Sequence, residues 1–193
     1  MRRTLLCALA LAIPAAALAQ APDVFDWHAK LRFHAQKTYG PKALLGFTAY
    51  AAALQELDSP KEWGQGGAAY GKRLASTMGW SGIHGTLAFG LDSTLHQDPR
   101  YYRAGSGGFL RRAGHAVCGT ILTRTDAGGE TLSTWRLGSD YGAAFLSDLW
   151  YPGRLDTPRQ GFIHGSLTLG FDLVANLGAE FWPDIQRKVL HKK

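Results

Sequence analysis

The chain has 193 residues, of which 46% are apolar, 19% charged and 11% aromatic, a composition typical of a folded globular protein and not of a disordered one. Lys and Arg outnumber Asp and Glu by 21 to 15, giving a net charge of +6 at neutral pH. This excess is mild and falls short of the concentrated positive charge of a dedicated nucleic-acid-binding protein, so that class is not expected.

Residues 1–19 have the three parts of a bacterial signal peptide. Arg2 and Arg3 form the positive start, residues 5–17 form an apolar core, and Ala17 and Ala19 supply the small residues needed at the cleavage site. The apolar run is shorter than the roughly 20 residues of a membrane span, although an uncleaved anchor is the alternative. We therefore predict an exported protein, periplasmic or associated with the outer membrane, with a single helical domain at residues 20–193.

Helical periodicity runs along most of this domain, and no segment alternates convincingly as a strand would. Helices are predicted at residues 25–39, 41–57, 109–122, 133–150 and 161–181, with two more in residues 61–96 that break near residues 79–82. Turn-forming residues predict loops at 98–108, 126–129 and 152–160, and Pro183 is expected to stop the last helix. These features predict an all-α fold, a glycine-rich helical bundle.

Three pairs of glycines are spaced four residues apart in predicted helices: Gly67 with Gly71, Gly138 with Gly142, and Gly161 with Gly165. A glycine inside a helix costs about 1 kcal/mol relative to alanine, so close helix–helix contact is expected as compensation. Membrane-embedded helices use the same spacing. However, the uncharged stretch at residues 74–91 contains glycines, hydroxyl side chains and a histidine, which favours a soluble or peripheral bundle.

An internal repeat accompanies these glycines. Residues 83–92 match residues 163–172 in six of ten positions, and residues 70–76 resemble residues 141–147. Two matches in the same order suggest two duplicated helix hairpins.

The repeat places a histidine and an aspartate in each half, namely His84, Asp92, His164 and Asp172. If a pseudo-twofold axis related the halves, these side chains could converge on Zn, Fe or Mn. The close spacings of helical metal sites, such as Glu-x-x-His, are absent. We therefore expect hydrogen bonds between helices, and neither a metal nor another cofactor.

Polar residues concentrate in the glycine-rich loop at residues 96–108 and just after it. A glycine-rich loop that leads into a helix can bind an anion through its backbone N–H groups. The candidate anion-binding or ligand-binding residues are Tyr101, Tyr102, Arg103, Arg111 and Arg112. The candidate catalytic residues, chosen because His and Asp together can perform acid–base catalysis, are His96, Asp98, Arg100, His115, Arg124 and Asp126. A purely structural loop is the alternative.

Four short motifs behind the signal peptide, HQDPRYY, TRTD, WYP and EFWPDI, resemble a family of uncharacterised exported proteins of acidobacteria and proteobacteria. The resemblance spans residues 59–185 and implies export and one coherent domain. It implies no activity, ligand or catalytic residue.

Because no complete catalytic signature is present, we expect a non-catalytic structural or interaction protein of the cell envelope, at the membrane surface or in the periplasm. Its expected partners are a membrane surface, an envelope protein or a second copy of the chain, and not nucleic acid. The alternative is an envelope hydrolase that acts on an anionic lipid or glycan through the loop residues.

Overall fold

The computed structural model describes residues 25–190, so the predicted signal peptide at residues 1–19 lies outside the described residues. Within this range the fold is all-α, as predicted. The helices are α1 (Trp27–Tyr39), α2 (Pro41–Glu56), α3 (Gly67–Thr94), α4 (Phe109–Ile121), α5 (Thr134–Asp148) and α6 (Pro158–Leu190). A single 3-10 turn covers Lys61–Trp63, and the short strands are β1 (Gln97–Asp98), β2 (Leu122–Thr125) and β3 (Glu130–Leu132).

The bundle is organised around α3. This helix packs against α1, α2 and α5, while α6 packs against α5 and α4. The interior is unusually polar: the fully buried apolar residues of the described chain are Trp135 and six alanines, whereas twenty polar or charged residues are also buried. Since buried polar groups must find hydrogen-bond partners, the interior is held together by specific polar contacts as well as by apolar packing.

Glycines set the distance between α3, α5 and α6. A Cβ atom at Gly138 would lie 2.6 Å from Leu91 Cδ1, and one at Gly165 would lie 2.3 Å from Tyr141 Cδ1. The predicted close contact is therefore confirmed for Gly138-xxx-Gly142 and Gly161-xxx-Gly165. It is wrong for Gly67-xxx-Gly71, where a Cβ would meet nothing within 4 Å.

The predicted break at residues 79–82 is also wrong, because α3 is continuous. Gly82 faces the Tyr39 hydroxyl and Gly85 faces Thr38, so packing against α1 offsets the poor helix propensity of glycine. As a result, residues 70–76 and 83–92 share one helix, whereas residues 141–147 and 163–172 lie on α5 and α6. The first half of the predicted repeat, residues 70–76 and 83–92, therefore does not form a hairpin.

Two smaller expectations are corrected. β1, β2 and β3 form an antiparallel sheet where no strand was predicted, since strands of two to four residues are too short to show alternation. The last helix also continues through Pro183. The Arg112 guanidinium donates to the Glu180 carbonyl in the turn before Pro183, where a proline weakens the helical hydrogen bonds.

None of the helices in residues 25–190 combines the length and the apolar character needed to cross a bilayer.

Candidate functional site

A cavity of about 450 Å³ lies between α1, α2, α3, α5 and α6. Its volume is within the range of sites that bind small molecules. Six aromatic side chains line it: Phe47, Tyr50, Trp80, Trp135, Tyr151 and Phe171. Hydroxyl groups line it as well: Thr38, Ser76, Thr77, Ser81, Ser147 and Thr168. Three histidines, one each from α1, α3 and α6, also line the cavity, and each of them faces a buried aspartate.

The first histidine, His34 of α1, contacts Asp92 in the last turn of α3. Its Nε2 lies 2.6 Å from Asp92 Oδ2, and both side chains are buried. Lys30, one turn earlier on α1, donates to the Asp92 backbone carbonyl at 3.1 Å and pairs with Asp126 at 2.7 Å. Burial raises the pKa of Asp92, against the opposing effects of His34 and Lys30. This pair joins α1 to α3.

The second histidine, His84 of α3, lies with Nε2 2.8 Å from Asp140 Oδ1 on α5. Its ring stacks on Trp80, with centroids 5.0 Å apart. Asp140 is fully buried, and burial raises its pKa against the hydrogen bond from His84, while the charge of Asp172 adds to the rise.

Ser139 also approaches His84, with Oγ 3.2 Å from the same Nε2 atom. In a Ser-His-Asp triad the serine and the aspartate contact opposite ring nitrogens, so that the base can accept the serine proton. Here both contact Nε2, and the Ser139 hydroxyl donates to the Arg136 carbonyl at 3.1 Å. The three side chains therefore do not form a nucleophile–base–carboxylate relay.

The third histidine, His164 of α6, lies with Nδ1 3.8 Å from Asp148 Oδ1 at the end of α5. This separation allows ionic attraction but is too long for a hydrogen bond. The ring also packs near Tyr151, at 5.8 Å between centroids. Burial raises the pKa of Asp148, and the facing imidazole opposes that rise.

An ion pair lies next to the second histidine. Arg136 of α5 places Nε 2.9 Å from Asp172 Oδ2 of α6, and Asp172 lines the cavity. Arg136 also donates to the backbone carbonyls of Gly119 and Thr120, which connects the cavity wall to the end of α4. Burial lowers the pKa of this guanidinium, against the charges of Asp172 and Asp140.

The variant Asp140→Asn tests the raised pKa of Asp140. The folded protein retains this proton to a higher pH than the unfolded chain, so ionisation of Asp140 reduces stability as the pH rises above about 4. Asparagine cannot ionise but still accepts a hydrogen bond from His84. We expect the unfolding free energy of the variant, relative to wild type, to increase from about pH 4 toward neutrality. Urea unfolding of both proteins at several pH values measures this difference, and a flat or falling difference would contradict the assignment.

The six residues predicted from sequence as catalytic lie around the small sheet, and none of them lines the cavity. Asp98 binds Arg100 at 2.7 Å and accepts a hydrogen bond from Tyr102 at 2.7 Å. The Arg124 guanidinium covers the Tyr102 ring at 4.1 Å. His115 donates to the Tyr102 carbonyl at 2.7 Å.

The remaining two of these residues meet each other, since His96 lies 3.7 Å from Asp126, which Lys30 also binds. The structure thus gathers the six into one region, where they contact one another, Tyr102, Lys30 or the backbone. Their catalytic role stays a prediction.

Three of the five predicted anion-binding residues bind a carboxylate of the protein, and the other two are exposed. Arg112 is buried and binds Glu180 at 2.9 Å, while Tyr101 donates to the same carboxylate at 3.0 Å. Tyr102 belongs to the Asp98 cluster described above. Arg103 and Arg111 are exposed.

The weak metal candidates do not form a common centre. His84, His164 and Asp172 line the same cavity, but each faces a different partner, and Asp92 faces His34. Among residues 25–190, no group of three or more His, Cys, Asp or Glu side chains is arranged to hold a metal ion.

Sequence reasoning missed His34, Asp140 and Asp148. Asp140 and Asp148 lie eight residues apart on α5, the same spacing that separates the histidine from the aspartate in both matching segments. Two features could have identified these aspartates. One is the shared spacing, and the other is that charged residues in the middle of a predicted core helix usually have a partner.

No protein-family description, curated protein or solved structure matches the chain.

Proposed function

We propose that this protein binds a small molecule that carries a ring and several hydrogen-bonding groups. One observation carries the proposal: three histidines, each facing a buried aspartate, line a single aromatic cavity of about 450 Å³. A largely apolar pocket with a few converging polar groups and perturbed carboxyl pKa values is the usual form of a ligand site.

The chemistry of the walls indicates the kind of ligand. Trp80, Tyr151 and Phe171 give the cavity aromatic surface that a ring can contact, and the imidazole and hydroxyl groups can donate to or accept from polar substituents. Hydrogen bonds to Asp92 and Asp140 fix the orientation of the His34 and His84 rings, which favours selective recognition.

Binding without catalysis is the better-supported role. Ser139 and Asp140 share one nitrogen of His84, so Ser139 is not placed as a nucleophile that this histidine activates. The alternative, a hydrolase that uses the loop residues, has less support because Asp98, Arg100 and Tyr102 bind one another and lie outside the cavity.

Export remains part of the proposal. The signal-like residues 1–19 and the resemblance to exported bacterial proteins both support it. The ligand would then be a molecule of the cell envelope or the medium.

A cavity-filling variant tests the proposal. Thr168 lines the cavity from α6, so Thr168→Phe should fill the ligand space. The control is Thr86→Phe on α3, because both threonines donate to the carbonyl four residues earlier and Thr86 does not line the cavity. The Tm of the wild type and of both variants would be measured in the presence of candidate ligands, namely sets of nucleosides, indoles, phenolic acids and amino sugars.

A true ligand at about a hundred times its Kd should raise the Tm of the wild type and of Thr86→Phe by about 5 to 10 °C. The same ligand should not change the Tm of Thr168→Phe. An equal shift in all three proteins would place binding outside the cavity and contradict the proposal.

A further inference from the structure

The surface where α4 begins and α6 ends combines protruding apolar side chains with arginines. Phe109 and Leu110 are 68% and 83% exposed at the start of α4, and Trp182 and Ile185 are 56% and 48% exposed on α6. Soluble proteins rarely leave large apolar side chains together at the surface unless the surface binds something. We call these four residues, with Arg103 and Arg111, the α4–α6 patch.

Contacts between the two helices show that the patch is continuous. The Phe109 ring stacks on Phe181 with centroids 5.1 Å apart, and Ile185 lies one turn after Phe181 on the same face of α6. Trp182 and Ile185 are three residues apart in α6 and therefore share a face of that helix. The first turn of α4 thus lies beside the apolar face of α6.

Positive charge surrounds these apolar residues. The carboxylates of Glu180 and Asp184 are both bound by Arg112, which lies over the Phe181 ring at 4.6 Å. The hydrogen bond from Arg112, and then the charges of Arg187 and Arg103, hold the pKa of Asp184 below its usual range. Arg112 balances one of these two carboxylates. Arg103 and Arg111 of the patch, with the neighbouring Arg187, outnumber the other, so the surface has a net positive charge.

We propose that the α4–α6 patch docks the protein on an anionic lipid bilayer. Leu110 and Phe109 enter the boundary between headgroups and acyl chains, Trp182 lies at the headgroup level, and the arginines attract anionic headgroups. Aromatic and leucine side chains flanked by cations are the arrangement that peripheral proteins use at this boundary. A protein partner would need a matching apolar surface, whereas charge and amphipathic character together fit a lipid surface.

The docking surface is separate from the proposed ligand site, since no patch residue lines the cavity. Failure of one proposal therefore leaves the other intact.

Flotation with lipid vesicles tests the inference. The protein, in the form purified from cells, would be mixed with two kinds of vesicle. One contains phosphatidylcholine alone, and in the other about a quarter of the lipid is phosphatidylglycerol. We expect binding to the anionic vesicles at least about tenfold stronger than to the neutral ones, since each cation near an anionic surface adds about fivefold.

Matched variants locate the surface. Leu110→Ser and Trp182→Ser should each weaken partitioning about fivefold or more, and Leu149→Ser, which removes a leucine that is 78% exposed on another part of the bundle, should not. Arg111→Ala should weaken binding to anionic vesicles about fivefold, while Lys42→Ala on α2 should have little effect. Circular dichroism of each surface variant would check that it folds.

Several results would overturn the proposal. They are absence of binding, equal binding to neutral and anionic vesicles, and equal effects of Leu110→Ser and Leu149→Ser. A change of oligomeric state in Leu110→Ser without a change in partitioning would instead assign the patch to contact between copies of the chain.

Discussion

Replacing Gly165 by alanine is expected to lower the free energy of unfolding by about 2 to 3 kcal/mol. The added Cβ would lie 2.3 Å from Cδ1 and 2.9 Å from Cγ of Tyr141. These atoms belong to the inner part of a ring that also packs against Phe162 and whose hydroxyl contacts Ser166 at 3.0 Å. The ring cannot move aside without loss of those contacts, so α5 and α6 must separate.

The matched control is Gly170→Ala on the same helix. Nothing lies within 4 Å of a Cβ at this exposed position, so the better helix propensity of alanine should raise stability by about 0.5 to 1 kcal/mol. Urea unfolding of the two variants measures the contrast. Similar stabilities would show that α5 and α6 are not in close contact at Gly165.

Replacing Arg73 by methionine should cost about 3 to 5 kcal/mol. Arg73 of α3 is fully buried and donates to the carbonyls of Ser59, Pro60 and Gly64 at 2.9 to 3.0 Å. It also donates to the Gln55 side chain at 2.6 Å. Methionine fills similar space but donates nothing, which leaves these four acceptors, and the Asp58 carboxylate at 3.5 Å, without this donor.

The control for Arg73→Met is Lys72→Met, the exposed neighbour, which should change stability by less than about 0.5 kcal/mol. Limited proteolysis provides a second readout, because loss of Arg73 should expose the segment at residues 57–66 to cleavage. If the two variants unfolded alike and were cut alike, the guanidinium would not be holding that segment.

The helices that could be predicted from sequence are those whose own residues determine them. The segments predicted at 25–39 and 109–122 correspond to α1 and α4 to within two residues at either end. The continuity of α3 could not be predicted, because it depends on Thr38 and Tyr39 filling the space beside Gly85 and Gly82. That contact is tertiary and leaves no local pattern.

The candidate site shows the same limit. His84 and His164 could be singled out from the internal match, but their partners could not. His84 and Asp140 are 56 residues apart, and His34 and Asp92 are 58 apart. Their meeting depends on the axial register between neighbouring helices, which glycine contacts such as Gly138 on Leu91 fix only in the folded bundle.

The three His–Asp pairs also form a chain of links through the bundle, from α1 to α3, from α3 to α5 and from α5 to α6. A molecule that touched all three histidines would link α1, α3 and α6 directly, and α5 through the aspartates that face His84 and His164. We therefore expect its binding to slow amide exchange in α1 and in α6, two helices that are far apart in the sequence.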